Sequence, residues 1–325
     1  MARYYAFNGD ADGLCSLQQL RLNEPQAATL VTGVKRDIAL LRNIEGQNGD
    51  AITVLDISLY ENRSDLQRLL DSGASVRYFD HHRSGPIPNH LLMEAHIDES
   101  AEACTAILVD RHLRGRHRRW AIVAAFGDNL SRVGRAMASD AGLDEGATAA
   151  LERLGTCLNY NAYGESIEDL HVHPAELAAL MLPFADPFEF IAQSTVPAKL
   201  YAGYEDDMAK ARTQVERRSV APGIVVLPNE PWARRAIGVL TNELAQDRPD
   251  TPHAVLSPKT SGGFTVSVRV PPHSPVSAAD FCSRFETGGG RKLAGGINHL
   301  AEAELEGFVA RFHAHFHGVL AGRTA

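Results

Sequence analysis

The stretch "VRYFDHHRSG", residues 76–85, ends an apolar run on one acid and two histidines. Its first half, rich in β-branched and aromatic residues, reads as a strand. Groups that resist burial then follow at once. Two plain explanations compete with a functional one: the residues cap the strand in solvent, or one histidine is a satisfied core residue. The rest of the chain decides between them.

Working outward, acids recur wherever an apolar run ends. "FNGDADG" places Asp10 and Asp12 after the first run, "VLDIS" places Asp56 after the next, and "FDHH" adds Asp80, His81 and His82. A fourth stretch, "AAFGDN", carries Asp128. Between these points, short β-rich segments alternate with helical ones. "RYYAF", "AITVLDI" and "VRYFD" read as strands; Gly13 to Leu22, Ser64 to Leu70 and about Ser100 to Leu113 read as helices. That alternation predicts an α/β fold, a mostly parallel sheet with flanking helices. In such a sheet the carboxyl ends of the strands share one edge, where ligands bind, so acids distant in sequence converge.

The chain continues through Ala- and Leu-rich helices after Asp128. It then reaches the proline-bearing "LPFADPFEF" and the polar helix "YEDDMAKARTQVERR", which together read as a connector. A second, smaller α/β pattern begins at Gly223: "GIVVLP", the helix Trp232 to Leu244, "HAVLS", "FTVSVRV", a helix entered at Ser277, a glycine-rich loop, and a last helix Ala301 to Phe316. The expected domains are 1–190 (metal-binding, catalytic), 191–220 (helical linker) and 221–325 (substrate-binding), with a cleft between the first and the last.

Composition narrows the function. Of 325 residues 44% are hydrophobic, yet no apolar run nears the roughly 20 residues that span a bilayer. The start "MARYYAFNGDADG" lacks the apolar stretch of a secretory signal. Cys15, Cys104, Cys157 and Cys282 are too dispersed for a zinc knuckle or a disulfide framework, so a cytoplasmic setting is expected. A net charge of −8 argues against wrapping long duplex nucleic acid. The basic run "RHLRGRHRR" reads as a solvated helix end. A homodimer is compatible with all of this.

Four carboxylates gathered at one edge repel one another and raise each other's pKa values unless a cation neutralises them. Oxygen ligands with one imidazole suit Mn²⁺ or Mg²⁺ better than Zn²⁺. Two such ions about 3.5 to 4 Å apart form a known device for activating water against a phosphoryl group. Asp10 and Asp12, two apart in an extended segment, would face the same side, and Gly13 would permit a tight entry into the next helix.

Together "DADG", "VLDIS", "FDHH" and "GDN" resemble the motifs of the DHH phosphoesterase superfamily, across roughly the first 130 residues. "FETGGGRKLAGG", residues 285–296, is similar to the signature of the DHH-associated C-terminal domain found in nanoRNases, RecJ-like exonucleases and cyclic-dinucleotide phosphodiesterases. The resemblance implies two divalent ions, Mn²⁺ in preference to Mg²⁺. Asp10 would bind the first, Asp12 the second, and Asp56 would bridge them. His81 and Asp128 would join the second ion, and Asp80 would hold the first or orient its neighbour. His82 would contact the scissile phosphate or aid proton transfer. Two positions depart from the family: Ala6 stands where many relatives carry a metal-binding histidine, which leaves Asn8 as a weak ligand or water holder. Arg291 stands where the C-terminal signature has histidine.

Arg291 and Lys292, beside Gly288, Gly289 and Gly290, are expected to grip a terminal phosphate, the glycines letting backbone N–H groups approach it. Arg269 is a further substrate contact that the resemblance implies. The expected activity is metal-dependent hydrolysis of short 5′-phosphorylated oligonucleotides, dinucleotides such as pGpG above all, to mononucleotides. Within the class the alternatives are pAp hydrolysis, cyclic-dinucleotide opening and 5′-to-3′ single-strand exonuclease action. Outside it stands a non-catalytic nucleotide sensor. His171, His173, His313, His315 and His317 read as surface residues, and Cys15 and Cys104 as packing residues.

Overall fold

The computed structural model describes residues 1–320 and two compact units, Met1–Ala162 with Ser166–Ala202, and Tyr163–Glu165 with the chain from Gly203 onward. In the first unit β1 (Arg3–Phe7), α1 (Ala11–Asn23), β2 (Thr29–Val31), β3 (Ala51–Leu55), α2 (Arg63–Asp71), β4 (Ser75–Asp80) and β5 (Met93–Ile97) alternate as the sequence predicts. They are followed by α3 (Thr105–His112), α4 (Arg118–Gly127), α5 (Ser131–Asp140), α6 (Glu145–Asn161), α7 (Pro174–Met181) and α8 (Pro187–Gln193). The five strands form one parallel sheet in the order β2-β1-β3-β4-β5. Two of them, β2 and β5, escape a reading based on apolar runs. The first is three residues long, and the second, "MEAHI", carries charge on an exposed edge.

Register explains the recurring acids. Phe7, Leu55 and Phe79 are Cα partners across β1, β3 and β4, so Asn8 and Asp56, just past β1 and β3, stand level with Asp80, the last residue of β4. The apolar residues beneath them, including Ala6, Phe7, Val54, Leu55, Tyr78 and Phe79, are fully buried. Burial on both faces is the condition under which parallel strands read as continuous apolar runs. Every residue of α1 from Ala11 to Leu20 is buried, which accounts for its weak amphipathic pattern. Its two glutamines are satisfied internally: Gln18 donates to the carbonyls of Met181 and Phe184, and Gln19 to that of Ala106.

The helix α9 (Thr195–Arg217) begins in the first unit and ends in the second. There β6 (Ser219–Ala221), β7 (Ile224–Val226), α10 (Pro231–Asp247), β8 (His253–Pro258), β9 (Phe264–Arg269), α11 (Ala278–Cys282), β10 (Gly288–Gly290), β11 (Ala294–Leu300) and α12 (Leu305–Leu320) build a mixed six-stranded sheet, in the order β10-β11-β9-β8-β7-β6. Phe281, Phe308, Phe312 and Phe316 form its aromatic core with Val266, Val268 and Ile297. The glycine triplet expected as a loop is instead strand β10, paired with β11. Close packing demands its glycines: a Cβ at Gly288 would lie 1.8 Å from the Cys282 carbonyl oxygen. Among the described residues, no helix is long and apolar enough to cross a membrane.

Candidate metal centre

Each acid at the sheet edge is fixed by the backbone around it. Asp10 is the N-cap of α1, its Oδ1 accepting from the N–H groups of Asp12 (3.0 Å) and Gly13 (3.1 Å). The segment is therefore a helix start, and Asp12 stands in the first turn instead of alternating with Asp10 along an extended strand. The N-cap bonds curl the chain as soon as β1 ends. Gly13 is required there, since a Cβ would meet the Asn8 carbonyl oxygen at 2.0 Å. Asp12 in turn accepts from the N–H groups of Thr105 (2.8 Å) and Ala106 (2.7 Å), at the start of α3. Asp56 accepts the Thr105 hydroxyl at 3.1 Å.

His81 sits in the middle. Its Nδ1 lies 2.8 Å from the Ala103 carbonyl oxygen, which can only accept, so Nδ1 carries the hydrogen and Nε2 is directed elsewhere. Nε2 faces Asp56 Oδ1 at 3.3 Å, Asp12 Oδ2 at 3.7 Å and Asp128 Oδ2 at 3.8 Å. Asp12, His81 and Asp128 thus offer ligand atoms within 4.8 Å of one another, as do Asp56, His81 and His82. Burial, reinforced by Asp56, Asp128 and Asp10, pushes the Asp12 carboxyl well up. Burial, with Asp10, Asp128 and Asp80, does the same to Asp56. Acids that resist ionising together around an imidazole nitrogen fit a divalent cation, which would restore all of their charges at once.

Asp10 and Asp80 stand outside both groups. Burial pushes the Asp10 carboxyl up, but the Lys35 ammonium bound to its Oδ2, with the Gly13 N–H, holds it below the usual carboxylate range. Lys35 also donates to Asn159 Oδ1 at 2.8 Å. Asp80 is fully buried and grips His82: its Oδ1 lies 2.7 Å from His82 Nδ1 and 3.2 Å from the His82 N–H. Of the two parts expected of Asp80, orienting its neighbour is the one its contacts serve. Asn8 donates to the Lys35 carbonyl at 3.4 Å, and its buried Oδ1 accepts no hydrogen bond.

In the second unit, Arg269 is drawn to Asn242 Oδ1 at 2.6 Å and to its neighbour's carbonyl at 2.9 Å. Arg291 and Lys292 are exposed in the β10-β11 turn. Their carbonyls accept from Ala279 and Ala278 at the start of α11, and the Gly288 N–H bonds the Phe285 carbonyl. Three residues escaped the sequence reading: Lys35, Asn159 and Thr105. "VTGVKRD" held the only signal for the first, a cation just beyond a strand too short to read. His171 hydrogen-bonds the Tyr160 hydroxyl at 2.7 Å, and His173 caps α7. His317 lies outside the described side chains. A separate group, Glu94, His96 and His112, is half-buried to exposed, with His96 stacked on Phe79.

No family model matches the chain, and no curated protein does. Solved structures do match. A RecJ exonuclease bound to manganese superposes over 96% of this chain and 89% of its own, with a TM-score of 0.59 and 20% identity. RecJ from Thermus thermophilus in complex with Mn²⁺ gives 0.64 and 19% over 96% of this chain, which spans about half (51%) of that protein. PggH, a pGpG-specific phosphodiesterase from Vibrio cholerae, gives 0.54 and 16% over 97% of this chain and 100% of its own. At such identities the likeness is one of fold. The chain therefore shares the fold of these RecJ and PggH structures, and it carries the four strand-end motifs on that fold.

Proposed function

We propose that this protein is a metal-dependent phosphodiesterase that hydrolyses short 5′-phosphorylated oligonucleotides, dinucleotides above all. The observation that carries the reading is His81 Nε2 facing three carboxylate oxygens at 3.3 to 3.8 Å in a buried site. Asp12, Asp56, His81 and Asp128 would hold the ion. Manganese is the proposed ion, because the set combines hard oxygens with one imidazole. When bound, it would polarise a phosphoryl oxygen and lower the pKa of water. The resemblance implies a second ion beside it.

The chain's own groups have distinct tasks. Water adds to phosphorus while the bond to the leaving 3′-oxygen breaks, and that oxygen takes up a proton. His82 is the proposed donor or phosphate contact, since Asp80 fixes one ring nitrogen and the half-exposed ring leaves the other for a ligand. Arg291, Lys292 and Arg269 are proposed to bind the far phosphate, and Asn8 Oδ1 a water or substrate donor. Gly288, Gly289 and Gly290 form strand β10, which leads into the turn that carries Arg291 and Lys292. A cytoplasmic setting belongs to the same proposal, supported by four buried cysteines that remain thiols.

PggH acts on pGpG and RecJ is an exonuclease, so substrate length is the open question between them. The test is hydrolysis of 5′-labelled RNA of two to about ten nucleotides, beside pAp and cyclic dinucleotides, with Mn²⁺, Mg²⁺ or chelator. A rate that falls steeply beyond two or three nucleotides is expected. Uniform cutting of long strands would favour the exonuclease, and binding without turnover under every ion would leave a sensor.

A further inference from the structure

Resting on the metal-dependent reading above, we propose that each centre binds a single divalent ion and that the Lys35 ammonium is its second positive charge, standing where the resemblance puts the first ion. The ligands implied for that ion are a histidine at position 6, Asp10, Asp56 as the bridge and, in one of its two expected parts, Asp80, which here bonds His82. Position 6 is a fully buried alanine, which offers no donor. Its neighbour on the sheet edge, Asn8, is a neutral amide. Asp10 Oδ2 is paired with the Lys35 ammonium, whereas the oxygens of Asp12 accept from the neutral N–H groups of Thr105 and Ala106.

The lysine is built into this position. Its side chain is only 24% exposed, its ammonium donates to Asn159 Oδ1 at 2.8 Å, and its main-chain N–H donates to the Ala162 carbonyl at 2.9 Å. Side chain and backbone are thus both tied to the end of α6. A divalent ion seated on Asp10 would have to displace this ammonium or endure its repulsion at contact distance. The other set, Asp12, Asp56, His81 and Asp128, brings three carboxylates to the His81 Nε2 and is suited to an ion. A fixed ammonium beside that ion can stabilise a phosphoryl oxygen in the transition state, as lysine clamps do elsewhere.

The experiment titrates MnCl₂ into the chelator-stripped full chain, counting bound ions by calorimetry and reading their surroundings by electron paramagnetic resonance. One equivalent is expected, with the hyperfine pattern of an isolated ion. Two tight equivalents with an exchange-coupled spectrum would overturn the lysine assignment and leave the phosphodiesterase reading standing. Absence of both binding and hydrolysis would sink both. Lys35→Met is expected to lower kcat by about 10²- to 10³-fold while retaining the single Mn²⁺, with Lys35→Arg recovering part of the rate. A Lys35→Met enzyme within about threefold of wild type would overturn the proposal. Should that variant fail to fold, the wild-type ion count still decides.

Discussion

Asp56 occupies the left-handed backbone region, with φ at 60°, directly after β3. Among non-glycine residues asparagine and aspartate tolerate that conformation best. Asp56→Asn therefore keeps the backbone and can keep the Thr105 hydroxyl bond while removing one of the crowded charges. The Asp56 and Asp12 carboxyls are raised when folded, so the stability they confer is complete below the ordinary carboxylate pKa, about 4. It is lost as pH rises through their raised folded values. In chelator at pH 8, Asp56→Asn should unfold at a higher temperature than wild type, and the gap should close toward pH 4. Each 1 kcal/mol gained corresponds to about 2–4 °C at this size. Saturating Mn²⁺, at a hundred times Kd, should stabilise wild type by about 2.7 kcal/mol and the variant far less. Thermal melts across pH, with and without Mn²⁺, check both. The acids were legible because each ends an apolar run; Lys35 was not, because its partner Asp10 lies 25 residues away and nothing local announces the pair.

At the scale of elements, Asp128 depends on α4 lying close to its neighbours. It follows that helix directly, and Asn129 takes the left-handed conformation, φ 64°, that ends the helical turn. Close approach to α1 and α6 is set by two glycines. A Cβ at Gly127 would lie 2.4 Å from the Ala11 Cβ, and one at Gly155 would lie 2.1 Å from the Val123 carbonyl oxygen. Gly155→Ala must push α4 and α6 apart, an overpacking cost of about 1–3 kcal/mol. It should also lower Mn²⁺ affinity by moving Asp128, although Gly155 offers no ligand. Chemical denaturation and Mn²⁺ titration of this variant measure the two effects. Helix–helix spacing of this kind was not legible from composition, where "RLGTC" reads simply as helix interior. The β10 strand was missed for a related reason: three glycines look like a loop until their partner, "AGGIN", is seen beside them.

At the scale of the whole molecule, the two α/β patterns became two compact units because each has its own sheet and its own apolar core. Their existence was legible from the break in strand and helix alternation, but the ownership of α9 by both units was not. This division separates chemistry from recognition in the proposed function. Groups of the first unit would act on the scissile phosphate, whereas Arg291 would add binding that is the same in ground and transition states. Main-chain bonds from Ala279 to the Arg291 carbonyl and from Arg291 to the Ala294 carbonyl hold the turn from which its side chain projects. Arg291→Ala should accordingly leave fold and Mn²⁺ binding unchanged and raise KM for a 5′-phosphorylated dinucleotide. A charged hydrogen bond of about 1.5–3 kcal/mol corresponds to roughly 10- to 100-fold. With kcat altered little, the loss marks uniform binding. The same substitution should matter much less for a dinucleotide lacking the 5′-phosphate, so steady-state kinetics on the two substrates form a double comparison. Equal losses on both would remove Arg291 from phosphate recognition and return the turn to a purely structural part.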